Sequence, residues 1–128
     1  MTWKVLVTAV SMDEVGGSAI ELLKKAGCEV VYPSSPRPLR EKYLIEALQG
    51  VDAVLAGTDK YSEKVLSSSA VDSLKIISRW GVGFNEVDVF AATEKGVVVA
   101  YTPGMLNDAV ADYAFSLLLS SARHVHKG

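Results

Sequence analysis

The chain has a single cysteine, Cys28, and no apolar run that approaches the ~18 residues of a membrane span. One cysteine cannot form an internal disulfide, and residues 1–4 lack the apolar stretch of a signal peptide. We therefore expect a reducing, cytoplasmic location. A strong charge of one sign is also missing, because the net charge is only −2. We expect neither nucleic acid nor a membrane as a partner.

What the chain does contain is the composition of one globular domain. Its 128 residues are 49% hydrophobic and 22% charged, which is enough to bury one core. The proline-rich segment 33–38 is the only stretch that resembles a linker. We assign residues 1–128 to a single domain.

Short apolar runs alternate with segments of helical spacing. The predicted strands are residues 3–10, 28–32, 52–56, 74–78 and 97–100. The predicted helices are a first one with a Ser11/Glu14 capping box, then 41–48, 62–67, 87–95 and 108–126. Strands this short and apolar favour a parallel sheet covered on both faces. With right-handed crossovers, this gives an α/β fold, a flavodoxin-like three-layer α/β/α structure with strand order 2-1-3-4-5.

The turn Gly81-Val82-Gly83 follows the fourth predicted strand and precedes a helix-like stretch. Two glycines permit positive φ and close approach of a ligand, so main-chain N–H groups could hold a carboxylate or phosphate there. Glu86 stands where the dinucleotide fingerprint G-x-G-x-x-G requires glycine or alanine. The turn therefore predicts an anion site, with a tight turn that binds nothing as the alternative.

Ligands in parallel sheets bind beyond the carboxyl ends of the strands. Three loops follow predicted strands and should meet at that edge: residues 57–60, 81–83 and 101–104. We expect one ligand site where these loops converge.

Several motifs in order carry a resemblance to a known family. They are Ile76 to Asp88, Ala91-Ala92, Gly96 to Val99, Thr102-Pro103-Gly104 and Ala109 to Asp112, with residues 54–59 upstream. The chain resembles the N-terminal substrate-binding domain of NAD-dependent D-2-hydroxyacid dehydrogenases, most of all the D-3-phosphoglycerate dehydrogenase branch. The resemblance implies a domain that binds the carboxylate of a small 2-hydroxy or 2-oxo acid through Gly81, Val82 and Gly83, with Gly57 and Thr58 nearby.

The resemblance also implies what this chain lacks. The family's NAD site and its catalytic arginine, glutamate and histidine belong to a Rossmann domain that is absent from residues 1–128. We therefore assign no catalytic, cofactor-binding or metal-binding residue and expect no turnover by this chain alone. His124 and His126 are interpreted as solvated residues at a helix end.

Some positions depart from the family pattern. The acid of the motif after Gly83 is shifted to Glu86, and Leu106 replaces an amide that could reach a ligand. Ala56 stands where some relatives carry an arginine for substrate phosphate, which weakens the case for phosphoglycerate. Lys60 could supply a charge nearby, but a solvated lysine is the more common arrangement.

Two other functions stay open. The last helix carries Leu117 and Leu118 and could pair with a second copy of the chain or with a Rossmann domain. A response-regulator receiver domain shares the predicted fold, and Asp13, Glu14 and Asp59 imitate its acidic triad. The identity of the acid, NAD or NADP preference, and whether the chain is a piece of a longer protein stay open too.

Overall fold

The computed structural model describes all residues from Met1 to Gly128. Its sheet has five strands: β1 Lys4–Val7, β2 Glu29–Val31, β3 Ala53–Ala56, β4 Ile76–Arg79 and β5 Val98–Ala100. Every neighbouring pair is parallel and the order is β2-β1-β3-β4-β5. The predicted fold class and strand order are confirmed.

Six α-helices connect or follow the strands. They are α1 Met12–Val15, α2 Gly17–Lys25, α3 Glu41–Ala47, α4 Glu63–Leu66, α5 Val89–Glu94 and α6 Asn107–Ala122. Two short 3-10 helices cover Ser69–Val71 and Val125–Lys127. No helix is long and apolar enough to cross a membrane.

The predicted capping box at Ser11 and Glu14 is wrong. Ser11 has helical backbone angles, φ −61 and ψ −19, and its side chain makes no capping hydrogen bond. A capping side chain reaches the first-turn amides only from an extended backbone, so Ser11 cannot act as a cap here. The expected single helix is instead divided at Gly16 into α1 and α2.

The two faces of the sheet are covered unequally. Leu6, Val54 and Ile77 point to one face and join the main core of 18 buried residues, which includes residues of α3, α4 and α5. Val7 on the other face packs with Ile20 of α2 in a small cluster. Beyond that cluster the second face is open near β5, where Val98 is 58% exposed. The second helical layer therefore covers only the β1–β2–β3 half of the sheet.

Helix α6 stands apart from this core. None of its 16 residues is buried. Its exposed apolar residues are Val110, Tyr113, Phe115, Leu117, Leu118 and Leu119. Helix α6 is thus an unusually apolar surface within this domain.

Candidate functional site

The three predicted loops do converge at the carboxyl edge of the sheet. Gly57 and Thr58, after β3, line a cavity of about 330 Å³ together with Trp80. Gly81 lines an adjacent cavity of about 360 Å³, again with Trp80 and with Thr102 from the loop after β5. Trp80 therefore lies between the two cavities.

The loop after β4 is fixed by bonds to its carbonyl groups. The Gly81 carbonyl accepts hydrogen bonds from both the N–H and the hydroxyl of Thr102, each at 3.0 Å. The Gly83 carbonyl accepts one from Nε of Arg79 at 3.1 Å. Gly81 has φ +147, in the region that disfavours a side chain. The loop is held at both ends in a conformation that glycine permits.

The hydrogen-bonded carbonyls of Gly81 and Gly83 determine the direction of the N–H groups that follow them, those of Val82 and Phe84. The peptide bonds of the loop are trans, since the one cis bond in the chain is Arg37–Pro38. In a planar trans peptide the N–H is opposite to the C=O. The N–H groups of Val82 and Phe84 therefore point away from Thr102 and Arg79. Neither donates to a protein acceptor, nor does the N–H of Gly83.

Two of the predicted amides are already engaged. The N–H of Gly81 donates to the Arg79 carbonyl at 3.1 Å. The N–H of Gly57 donates to Oγ1 of Thr8, also at 3.1 Å. Among residues 81–84 the unpaired donors are thus Val82, Gly83 and Phe84, and no sequence signal pointed to Phe84. Substrate binding by any of these residues stays a prediction.

Arg79 supplies a positive charge beneath the loop. Its side chain is buried and forms no ion pair, and Nη1 donates to the Ala56 carbonyl at 3.2 Å. Nη2 lies 3.9 Å from the position that a Cβ on Gly81 would take. A buried cation bonded only to neutral carbonyls attracts any anion placed above it. Sequence reasoning missed Arg79 as part of the site, because a strand-end arginine gives no indication of its burial.

Two further polar residues, Asp59 and Tyr61, are buried in the domain. Asp59 accepts a hydrogen bond from the Leu39 N–H at 2.6 Å through Oδ1, but its Oδ2 has no partner. The Tyr61 hydroxyl is also buried and unpartnered. Burial raises the pKa of the Tyr61 phenol, the negative charge of Asp59 adds to this, and Thr8 and Arg79 act in the opposite direction. Tyr61 is therefore a neutral group at physiological pH.

The acidic residues Asp13, Glu14 and Asp59 do not form the metal-binding group of a receiver domain. Asp13 forms an ion pair with Arg37 in an exposed position, whereas Asp59 is buried against Leu39. No group of three histidine, cysteine or acidic side chains could hold a metal ion. The geometry disfavours the receiver-domain alternative. His124 and His126 are exposed beyond α6, as expected for residues at a helix end.

The parallel sheet, with a glycine loop and unpaired amides at its carboxyl edge, places this domain in the class of α/β domains that bind ligands at that edge. The chain belongs to the D-isomer specific 2-hydroxyacid dehydrogenase family, whose catalytic-domain model matches residues 6–125. It is similar to a glyoxylate reductase of Thermofilum pendens, with 36% identity over 123 residues, covering 95% of this chain and 34% of that protein.

Solved structures of other proteins resemble this fold. TT0316 protein from Thermus thermophilus aligns with a TM-score of 0.82 and 32% identity, over 98% of this chain and 38% of that one. The NAD+-bound 3-phosphoglycerate dehydrogenase of Entamoeba histolytica aligns with a TM-score of 0.73 and 26% identity, over 94% and 39% respectively. This chain thus spans about a third of the length of the curated glyoxylate reductases it matches.

Proposed function

We propose that this chain is the substrate-binding portion of an NAD-dependent oxidoreductase that acts on the CH–OH group of a D-2-hydroxy acid. The loop after β4 binds the carboxylate of the 2-hydroxy or 2-oxo acid. The observation that carries this proposal is the set of unpaired N–H groups at Val82, Gly83 and Phe84 above the buried charge of Arg79. The single cysteine and the family membership support a cytoplasmic location.

A carboxylate suits this arrangement chemically. It accepts hydrogen bonds only, and unpaired main-chain donors complement its charge without a side chain that must be ordered. Gly57 and Thr58 line the neighbouring cavity and would contact the rest of the acid. Because the Gly57 amide is engaged with Thr8, it is not free to donate a hydrogen bond to the acid.

The residues of this chain do not fit NAD. The loop after β4 has Glu86 in place of the third glycine of the dinucleotide fingerprint, and α5 begins only at Val89 and has six residues. We therefore assign NAD to the complete family enzyme. Because the resemblance assigns the general acid/base to the Rossmann domain, the chain by itself should not transfer hydride.

Binding is tested by titrating the 128-residue chain with glyoxylate and with D-3-phosphoglycerate while the backbone amide signals of Val82, Gly83 and Phe84 are followed by NMR. A few main-chain hydrogen bonds worth about 0.5–1.5 kcal/mol each give a dissociation constant in roughly the millimolar range. If these three signals stay in place at tens of millimolar of either acid, the loop is not a carboxylate site.

The expected lack of turnover has its own test. Purified chain mixed with glyoxylate and NADH should leave the absorbance of NADH unchanged over hours. Steady oxidation of NADH that follows the protein through purification would show that catalytic groups are present in these residues.

A second candidate function is supported by α6. Its exposed Leu117 and Leu118 fit a non-catalytic role of the same domain, as a surface that pairs with a second copy or with a Rossmann domain. For a homodimer, light scattering should give twice the mass of one chain, and Leu118→Glu should halve it without loss of helical circular dichroism. Lys64→Glu, on an exposed residue of α4, is the matched control. An unchanged mass in Leu118→Glu would exclude α6 as the dimer contact.

A further inference from the structure

We propose that the acid bound at this loop carries an uncharged, apolar side chain, and that Trp80 selects it. The inference rests on the proposed function, since it locates the side chain relative to a carboxylate held by the amides of Val82 and Phe84. It goes further by assigning the chemical class of the substrate.

Trp80 is placed to meet such a side chain. It directly precedes the anion loop in sequence, and its N–H donates to the Ala56 carbonyl at 2.9 Å, which fixes its backbone. Its side chain is half-exposed and lines both cavities at the carboxyl edge. A substituent that extends from the loop into either cavity therefore contacts the indole.

Neither cavity offers a partner for a second negative charge. The lining residues besides Trp80 are Thr8, Ala9, Val10, Ser11, Pro38, Gly57 and Thr58 in one, and Gly81, Thr102, Met105 and Leu106 in the other. None of them is charged. A phosphate or second carboxylate is normally bound by arginine or lysine. Without such a partner, the anion loses its hydration and gains no ion pair that offsets the cost.

The basic residues closest in sequence to the cavity-lining residues do not supply a partner for a second negative charge either. The charge of Arg79 lies beneath the carboxylate held at the loop, Arg37 is paired with Asp13, and Lys60 lines neither cavity. An aliphatic or aromatic substituent, by contrast, gains by leaving water against the indole and the side chains of Met105 or Leu106.

The test compares three probes on the same chain: glyoxylate, which has no side chain, 4-methyl-2-oxopentanoate, which has an apolar one, and D-3-phosphoglycerate, which has an anionic one. Dissociation constants come from the amide shifts of Val82 and Phe84. We expect 4-methyl-2-oxopentanoate to bind about tenfold tighter than glyoxylate, from partial burial of its branched aliphatic side chain. D-3-phosphoglycerate should bind no tighter than glyoxylate.

Variants assign the preference to Trp80. Trp80→Ala should reduce the tenfold ratio of glyoxylate to 4-methyl-2-oxopentanoate dissociation constants to about one. Trp80→Lys should lower the dissociation constant for D-3-phosphoglycerate relative to the other two acids. Trp3→Ala, which removes the other tryptophan, located just before β1 at the opposite edge of the sheet, should leave the ratio unchanged.

The two failures are distinguishable. Glyoxylate binding without any preference for the apolar acid, or a preference that survives Trp80→Ala, would overturn this inference and leave the proposed function standing. If no probe moves either amide signal, the proposed function fails, and the inference fails with it.

Discussion

Replacing Arg79 with methionine tests whether the buried charge beneath the loop contributes to carboxylate binding. The guanidinium lies close under Gly81 and has no acidic partner. With an effective dielectric constant of about 20 and a separation of about 6–8 Å, a unit charge stabilises a carboxylate by about 2–3 kcal/mol. Screening by salt lowers this figure, so we expect the dissociation constant for glyoxylate to rise by at least about tenfold.

The same substitution has a structural cost that must be measured separately. Arg79→Met removes the hydrogen bonds to the carbonyls of Gly83 and Ala56. The Ala56 carbonyl keeps the N–H of Trp80 at 2.9 Å, whereas that of Gly83 loses its partner. Hydrogen bonds to a charged group contribute about 1.5–3 kcal/mol each, but removal of a buried cation offsets part of the loss. We expect the free energy of unfolding to fall by about 1–3 kcal/mol.

Binding and stability are then compared across a short series. Denaturant unfolding gives the stability, and NMR titration with glyoxylate at low and high salt gives the affinity. Arg79→Lys keeps the positive charge but lacks the planar guanidinium, so it should bind glyoxylate more tightly than Arg79→Met does. Arg123→Met removes the same charge from the exposed end of α6 and serves as the control. Equal glyoxylate affinity in wild type and in a folded Arg79→Met would refute the electrostatic argument.

Further predictions concern the backbone and Tyr61. Gly81→Ala should lower the free energy of unfolding by about 1–2 kcal/mol through its positive φ, whereas Gly83→Ala, with open space where the Cβ would lie, should be nearly neutral by thermal melting. Tyr61→Phe removes a buried hydroxyl without a partner and should be neutral or stabilising by up to about 1 kcal/mol. The pKa of Tyr61 is higher in the folded chain than in the unfolded chain. The neutral Tyr61 phenol therefore contributes fully to stability below pH ~10, and this contribution falls at higher pH. In alkali, Tyr61→Phe should lose stability less steeply than the control Tyr113→Phe, which changes an exposed tyrosine.

The architecture is predictable because each strand is a short apolar run, and right-handed connections leave only a few strand orders for a parallel sheet. The strand ends are less predictable. The pattern of residues 3–10 predicts one strand, but β1 ends at Val7. The N–H groups of Thr8 and Ala9 both donate to the Leu55 carbonyl, so the chain leaves the regular ladder there. Such a shared acceptor depends on the neighbouring strand and leaves no local pattern in the sequence.

The division of the first helix shows a similar limit. The Ser11/Glu14 spacing matches a capping box, but the backbone angles of Ser11 prevent it from capping. At the break, a Cβ on Gly16 would lie 2.6 Å from the Met12 carbonyl oxygen. Close contact between two turns of chain, and not helix propensity, accounts for the glycine at this position.

The candidate site depends even more on contacts distant in sequence. The motif Gly81-Val82-Gly83 predicts a loop that can approach a ligand, but not which of its amides are unpaired. Thr102 and Arg79 decide that, because each holds one carbonyl and so turns the following N–H outward. The same three residues with different neighbours would present other donors. The functional unit is therefore the glycine loop together with the two side chains that hold it, and a sequence motif for this kind of site should include all of them.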